Sequence, residues 1–190
     1  GSGPAYLFLV AESLIEACAD MDDAIMAKFL DGRSADVSNE EIYAAIRKAV
    51  VGFKFVPVVG NATEGRFDAG RIDRMLAPAN AQHVMDRLID FVRVNGFAGL
   101  QIDFDQVTPE QIERLTPWLA QLRQRLNAAG GELSIALEVG LSDHDIRAPS
   151  GVVDYAAIMA YDEHGEDSLP GPISSALFVD QAIARFARLV

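Results

Sequence analysis

The stretch Ala98-Gly-Leu-Gln-Ile-Asp-Phe-Asp105 constrains this chain most, because it reads as a buried strand that ends in carboxylates. Side chains alternate along a strand, so Leu100, Ile102 and Phe104 point one way and Gln101, Asp103 and Asp105 the other. Asp103 and Asp105 then share a face, roughly 6.5–7 Å apart along the strand. Shortly after it, Pro109 opens the most regular helical pattern in the chain. Ile112, Leu115, Leu119, Leu122 and Leu126 form its apolar stripe, and Gly130-Gly131 its stop. A strand ending in carboxylates and followed by a helix belongs in a parallel sheet, with the carboxylates at the C-terminal edge where α/β proteins bind ligands. The same residues allow a structural alternative, in which Asp105 only begins the loop and caps the helix starting near Thr108-Pro109-Glu110.

The rest of the chain repeats this alternation. Residues 5–10, 53–59, 133–137 and 152–160 read as further strands, and 13–30, 38–50, 71–76, 80–94, 109–129 and 175–190 as helices. Ser38 and Glu41 make a capping-box signal, Pro57 suggests an edge position or a strand end, and residues 60–65 read as a polar, Gly-containing loop. Helices of this length between strands indicate right-handed crossovers in a parallel sheet. The expected fold is α/β, in a single domain over residues 1–190: a mostly parallel sheet of about five strands with flanking helices, either a three-layer sandwich or a partial (β/α) barrel.

Composition narrows the function classes. At 50% apolar and 23% charged, 190 residues suit one domain with a sizeable core. A net charge of −12 argues against nucleic acid and anionic membrane surfaces as partners. No run reaches the ~18 apolar residues of a membrane span, and no secretory signal is read. Gly1-Ser2-Gly3 reads as an expression remnant. Cys18 is the single cysteine, so no intramolecular disulfide is expected, and it reads as a small core residue. Asp20, Asp22 and Asp23 read as a solvated acidic face rather than a metal cluster. No His/Cys/Asp spacing supports a zinc site, and no cofactor is expected. His83 and His144 read as surface or capping residues, His164 as part of a solvated loop with Glu163, Glu166 and Asp167, and Trp118 as packing.

Two resemblances cover the chain. Glu12 through Gly32, Asn39-Glu-Glu-Ile, Ala45-Ile-Arg-Lys48 and Phe55-Val-Pro-Val58 resemble a segment of the GTPase domain of bacterial translation elongation factor G, over about residues 11–62. In that family the strand leads to a Ser-Ala pair near the guanine base, and the matching positions here are Asn61-Ala62. The chain has neither the Gly-rich phosphate loop nor the Asn-Lys-x-Asp motif, so this likeness implies a scaffold and no GTP binding.

Phe55-Val-Pro-Val-Val59, Gly65-Arg-Phe-Asp-Ala69, Gly99-Leu-Gln-Ile-Asp-Phe-Asp105, and Met159-Ala-Tyr-Asp-Glu-His-Gly165 with Pro170-Gly-Pro172 resemble family 18 glycoside hydrolases, over about residues 54–190. The nearest likeness is to the hydrolase-like module that bacteria fuse to polysaccharide deacetylase and glycosyltransferase domains. The family signature is Asp-Gly-x-Asp-x-Asp-x-Glu on one barrel strand, with Met-x-Tyr-Asp two strands later. The resemblance implies substrate-assisted hydrolysis, in which the Glu protonates the glycosidic oxygen and the substrate's acetamido oxygen attacks the anomeric carbon. It gives Asp105 the acid's place, Asp103 that of the orienting Asp, and Tyr161 that of the group hydrogen-bonding the acetamido. Asp162, Gln101, Glu138 and Met159 are expected to bind substrate in the same pocket. The chain departs from the signature in three places: Ala98 and Gln101 replace the first two acidic positions, and Asp105 replaces the Glu.

The two likenesses meet at the strand over 53–59. The expectation is therefore a chimeric or engineered α/β scaffold on a degenerate family 18-like half-barrel without strong catalysis. The alternative is a glycosidase or glycan-binding domain for an N-acetylhexosamine polymer. The expected partners are a glycan and, across the open half-barrel, a second copy of the chain with Phe8, Val10 or Val153 at the dimer face.

Overall fold

The computed structural model describes residues 54–63, 66–164 and 168–190, and residues 55–190 form one compact unit. The strand expected over 5–10, the helices over 13–30 and 38–50, Cys18, the aspartates Asp20, Asp22 and Asp23, and the dimer residues Phe8 and Val10 lie outside the described residues.

The chain runs through β1 (Val58–Gly60), the antiparallel pair β2 (Ala62–Thr63) and β3 (Arg66–Phe67), and helices α1 (Ala69–Leu76) and α2 (Ala81–Asn95). It continues through β4 (Gly99–Asp103), α3 (Pro109–Ala128), β5 (Glu132–Glu138), α4 (Asp143–Ser150), β6 (Tyr155–Met159) and α5 (Ala176–Phe186). Strands β1, β4, β5 and β6 form one parallel sheet in that order, so four of the five expected strands are present among the described residues. The protein is α/β, with the strand–helix succession of a partial (β/α) barrel.

Register decides which residues share a face. Val58 pairs with Gln101, Gly60 with Asp103, Gln101 with Ser134, Ser134 with Tyr155, and Glu138 with Met159. These residues share one face, which carries the polar Gln101, Asp103, Ser134 and Glu138. The other face carries Leu100, Ile102 and Leu133, all 0% exposed, with Ile135 and Leu137. Helix α3 lies against that apolar face, where Ile112 and Leu115 line a cavity with Ile135 and Leu137. Its stripe of Leu119, Leu122 and Leu126 is fully buried, and Trp118 packs beside it with Nε1–H donating to the Ala81 carbonyl. His83 and His144 are exposed.

Several details differ from the sequence reading. The first described strand starts at Val58 rather than at 53, because Pro57 has no N–H to give to a ladder. The Phe55 and Pro57 carbonyls instead accept from the Ala98 and Gln101 amides. The stretch read as a loop over 60–65 contains the end of β1 and all of β2. Helix α4 was not anticipated: it is short, contains Pro149, and starts from Ser142, whose hydroxyl accepts from the Asp145 amide. Val153 is 6% exposed and belongs to the core, so it is not available to a dimer face. Among the described residues no helix is long and apolar enough to cross a membrane.

Candidate active site

Strand β4 delivers Asp103 as its last paired residue. Asp105 follows, and Gln106 then turns the chain with a φ of 57°. Asp105 does not cap α3. The cap is Thr108, whose hydroxyl accepts from the Gln111 amide while the Gln111 side chain accepts from the Thr108 amide. The Gln111 side chain also donates to Ala69 and Asp73, which ties the start of α3 to α1. With that end satisfied, Asp105 is left to the sheet edge, where the residue is 8% exposed.

Carrying the β4–β5 register past Ile102↔Ile135 brings Asp105 beside Glu138, whose charge it feels. Burial pushes the Asp105 carboxyl up to about 6. The charges of Asp103, Glu138 and Asp162 push the same way. Burial also raises Asp103, with Glu138 adding to it, and Asp103 Oδ1 is buried with no hydrogen-bond partner among the described residues. The Tyr161 hydroxyl is held above its ordinary value, by burial first and then by Asp103, Asp105, Asp162 and Glu138. Asp162 is exposed and has a φ of 60°, which breaks the alternation of β6. Asp162 thus acts on Asp105, and Asp105 in turn on Tyr161, the sequence neighbour of Asp162.

The structure therefore gathers Asp103, Asp105, Glu138, Tyr161 and Asp162 at the C-terminal edge of the sheet. Met159 is half-buried and stands beside Glu138 by register. Gln101 lies one layer deeper, buried, beside Ser134. Its neutral amide removes one charge from a site already crowded with them. Beyond the cluster, Glu163 accepts from the Ser175 amide and hydroxyl, which fixes the loop after β6 to the start of α5. Among the described residues no three His, Cys, Asp or Glu side chains are arranged to hold a metal ion.

Sequence reasoning placed Asn61 only in the elongation-factor likeness and missed its part in this site. It directly follows β1, is 2% exposed, donates from Nδ2 to the Asp105 carbonyl (2.9 Å) and accepts at Oδ1 from the Asp105 amide (3.0 Å). The available signal was a lone amide at the end of an apolar strand, next to Gly60. A Cβ on that glycine would stand 3.2 Å from the Asp103 carbonyl.

Chemically, a buried carboxyl raised to about 6, beside other carboxyl groups and a tyrosine hydroxyl, is equipped to act as a general acid. The model of the family described as glycosyl hydrolases family 18 matches residues 12–188. YdhD of Bacillus subtilis (strain 168), named as a sporulation-specific glycosylase, is 32% identical over 151 residues, covering 74% of this chain and 36% of YdhD. A crystal structure of YdhD superposes with a TM-score of 0.70 at 30% identity, over 84% of this chain and 55% of that one. The class V chitinase of Pseudomonas fluorescens Pf-5 gives a TM-score of 0.67 at 25% identity, over 77% of this chain and 50% of that one. The chain thus spans from about a third to about half of the length of these proteins. Elongation factor G 2 of Geobacter metallireducens is 50% identical over 58 residues, which are 30% of this chain and 8% of that factor.

Proposed function

This chain belongs to glycosyl hydrolase family 18, and on that premise we propose that its sheet edge binds an N-acetylhexosamine glycan and cleaves it weakly, with Asp105 as the acid. The observation that carries this reading is buried Asp105 at the sheet edge, crowded by Asp103 and Glu138, with its carboxyl raised to about 6. Asp105 gives its proton to the glycosidic oxygen, and the bond from that oxygen to the anomeric carbon breaks as the substrate's acetamido oxygen bonds to the same carbon. Tyr161 hydrogen-bonds the acetamido group, and Asp103 balances the positive charge that develops there. Gln101, Met159 and Asp162 contact the sugar.

The cleavage is weak because an aspartate is one methylene shorter than the glutamate of the family signature, and an error of about 1 Å costs on the order of 100-fold.

A second reading, a chimeric or engineered scaffold without catalysis, is favoured by one observation: a 58-residue likeness to an elongation factor lies in the same chain. Calorimetric titration with a chito-oligosaccharide, with product analysis of the same samples, separates the two. The wild type is expected to bind and to release product slowly. Asp105→Ala and Tyr161→Phe are expected to weaken binding, and Asp105→Ala to abolish product. Neither heat nor product from folded protein at millimolar ligand overturns the glycan reading and leaves the scaffold.

A further inference from the structure

We propose that Asn61 is the positioning residue for Asp105: a side-chain amide that extends the β1–β4 ladder past its last pair and fixes where the acid's carboxyl can reach. This inference rests on the reading of Asp105 as the acid.

The ladder between β1 and β4 ends at Gly60↔Asp103. Two residues further on, the Asp105 N–H and C=O have left the strand, and Gln106 already turns away at a φ of 57°. Asn61 takes over both groups, accepting from the Asp105 amide at 3.0 Å and donating to its carbonyl at 2.9 Å. A primary amide carries a donor and an acceptor side by side, so one side chain can pair both backbone groups of one residue. Asn61 is itself held, because it is 2% exposed and its own carbonyl accepts from the Asp68 amide at 3.1 Å, where α1 begins. The clamp therefore runs from the start of α1, through the end of β1, to the residue that carries the acid.

An aspartate makes such a clamp consequential. Only one methylene separates its carboxyl from the backbone, so a backbone fixed by two hydrogen bonds leaves the carboxyl little freedom beyond a single rotamer choice. The groups facing that carboxyl are Asp103 from β4, Glu138 from β5, and Tyr161 and Asp162 from the end of β6. Asn61 is neutral, so it adds order to this cluster without adding charge.

The test is a ¹³C NMR titration of the Asp105 carboxyl in the wild type, in Asn61→Ala and in Ser150→Ala, with melting temperatures for all three. Ser150 donates to the Ile146 carbonyl inside α4 and is outside the cluster, so its variant reports on lost stability alone. In Asn61→Ala the Asp105 midpoint is expected to fall by about one pH unit or more toward the ordinary carboxylate value, as the carboxyl leaves its fixed, buried place beside Asp103 and Glu138. In Ser150→Ala it is expected to stay at the wild-type position while the melting temperature drops. A folded Asn61→Ala with an unmoved midpoint overturns the proposal. Should Asn61→Ala fail to fold, Asn61→Ser, which keeps one polar atom but cannot pair both groups, decides by the same criterion. The titration involves no sugar. Failure to cleave a chito-oligosaccharide would sink the proposed function and leave the clamp standing, and an unmoved midpoint would sink the clamp while cleavage persisted.

Discussion

Asp105 stands beside Glu138 across the neighbouring strands β4 and β5 and feels its charge. Burial first, and then the charges of Asp103 and Glu138, disfavour its ionised form and raise Asp105 from 3.8 to about 6. A carboxyl raised in the folded state stabilises the protein fully below its unfolded value, and that contribution is lost as pH rises through about 6. Asp105→Asn cannot ionise and escapes this loss. Relative to the wild type, it is expected to gain roughly 2–3 kcal/mol between pH 4 and pH 8. Calorimetric melting of both proteins over that range is the check, and a difference that does not vary with pH would contradict the raised carboxyl.

The same carboxyl sets a pH profile for cleavage. An acid must be protonated to act, so the rate on a chito-oligosaccharide is expected to fall as pH rises through about 6. Asp105→Glu restores the missing methylene and is expected to raise kcat about 10- to 100-fold. A slower Asp105→Glu enzyme would mean that the site is built around the shorter acid.

Long periodic segments were legible in the sequence. The alternation of Leu100 and Ile102 placed β4, and the five-residue apolar stripe from Ile112 to Leu126 placed α3, because each pattern repeats often enough to exclude the other period. Helix α4 was not, since Asp143–Ser150 is only two turns long with Pro149 inside it, and its cap and packing hold it rather than a stripe. The strand pair β2–β3 has two residues on each side, too few for any pattern. In the site, Asp103, Asp105 and Tyr161 were readable as motif positions. That Asp105 meets Glu138 depends on strand register, and the Asn61 clamp spans 44 residues of sequence between a side chain and a backbone, where no local pattern exists.

Gly99 is expected to be intolerant of any side chain. It pairs with Glu132 across β4 and β5, and a Cβ there would fall inside the Glu132 backbone carbonyl, which cannot yield without breaking the ladder. Gly99→Ala should cost about 2 kcal/mol or more in urea denaturation. Gly140→Ala, whose Cβ would have no atom within 4 Å, should stay within about 0.5 kcal/mol of the wild type. Equal costs at the two positions would mean that the backbones of β4 and β5 are further apart than described.

Asp154 ties its loop to both α3 and β5 through one carboxylate. It accepts from the Leu133 amide at 2.8 Å, from Arg123 Nε at 2.8 Å and from Asn127 Nδ2 at 3.3 Å, while its own amide donates to the Leu133 carbonyl. Burial pushes this carboxyl up, but the Leu133, Arg123 and Asn127 hydrogen bonds outweigh it and hold the group below its ordinary value. A depressed carboxyl stabilises the fold above its unfolded value, and the contribution is lost as pH falls below about 4. At pH 7 Asp154→Ala strands the Leu133 amide and should cost about 1–3 kcal/mol. Asp154→Asn keeps an acceptor for that amide but no charge for Arg123, and should cost less. Both gaps are expected to narrow at pH 3 in chemical denaturation. A cost for Asp154→Ala that is the same at pH 3 and pH 7 would assign the stability to shape alone and remove the carboxylate's charge from the account.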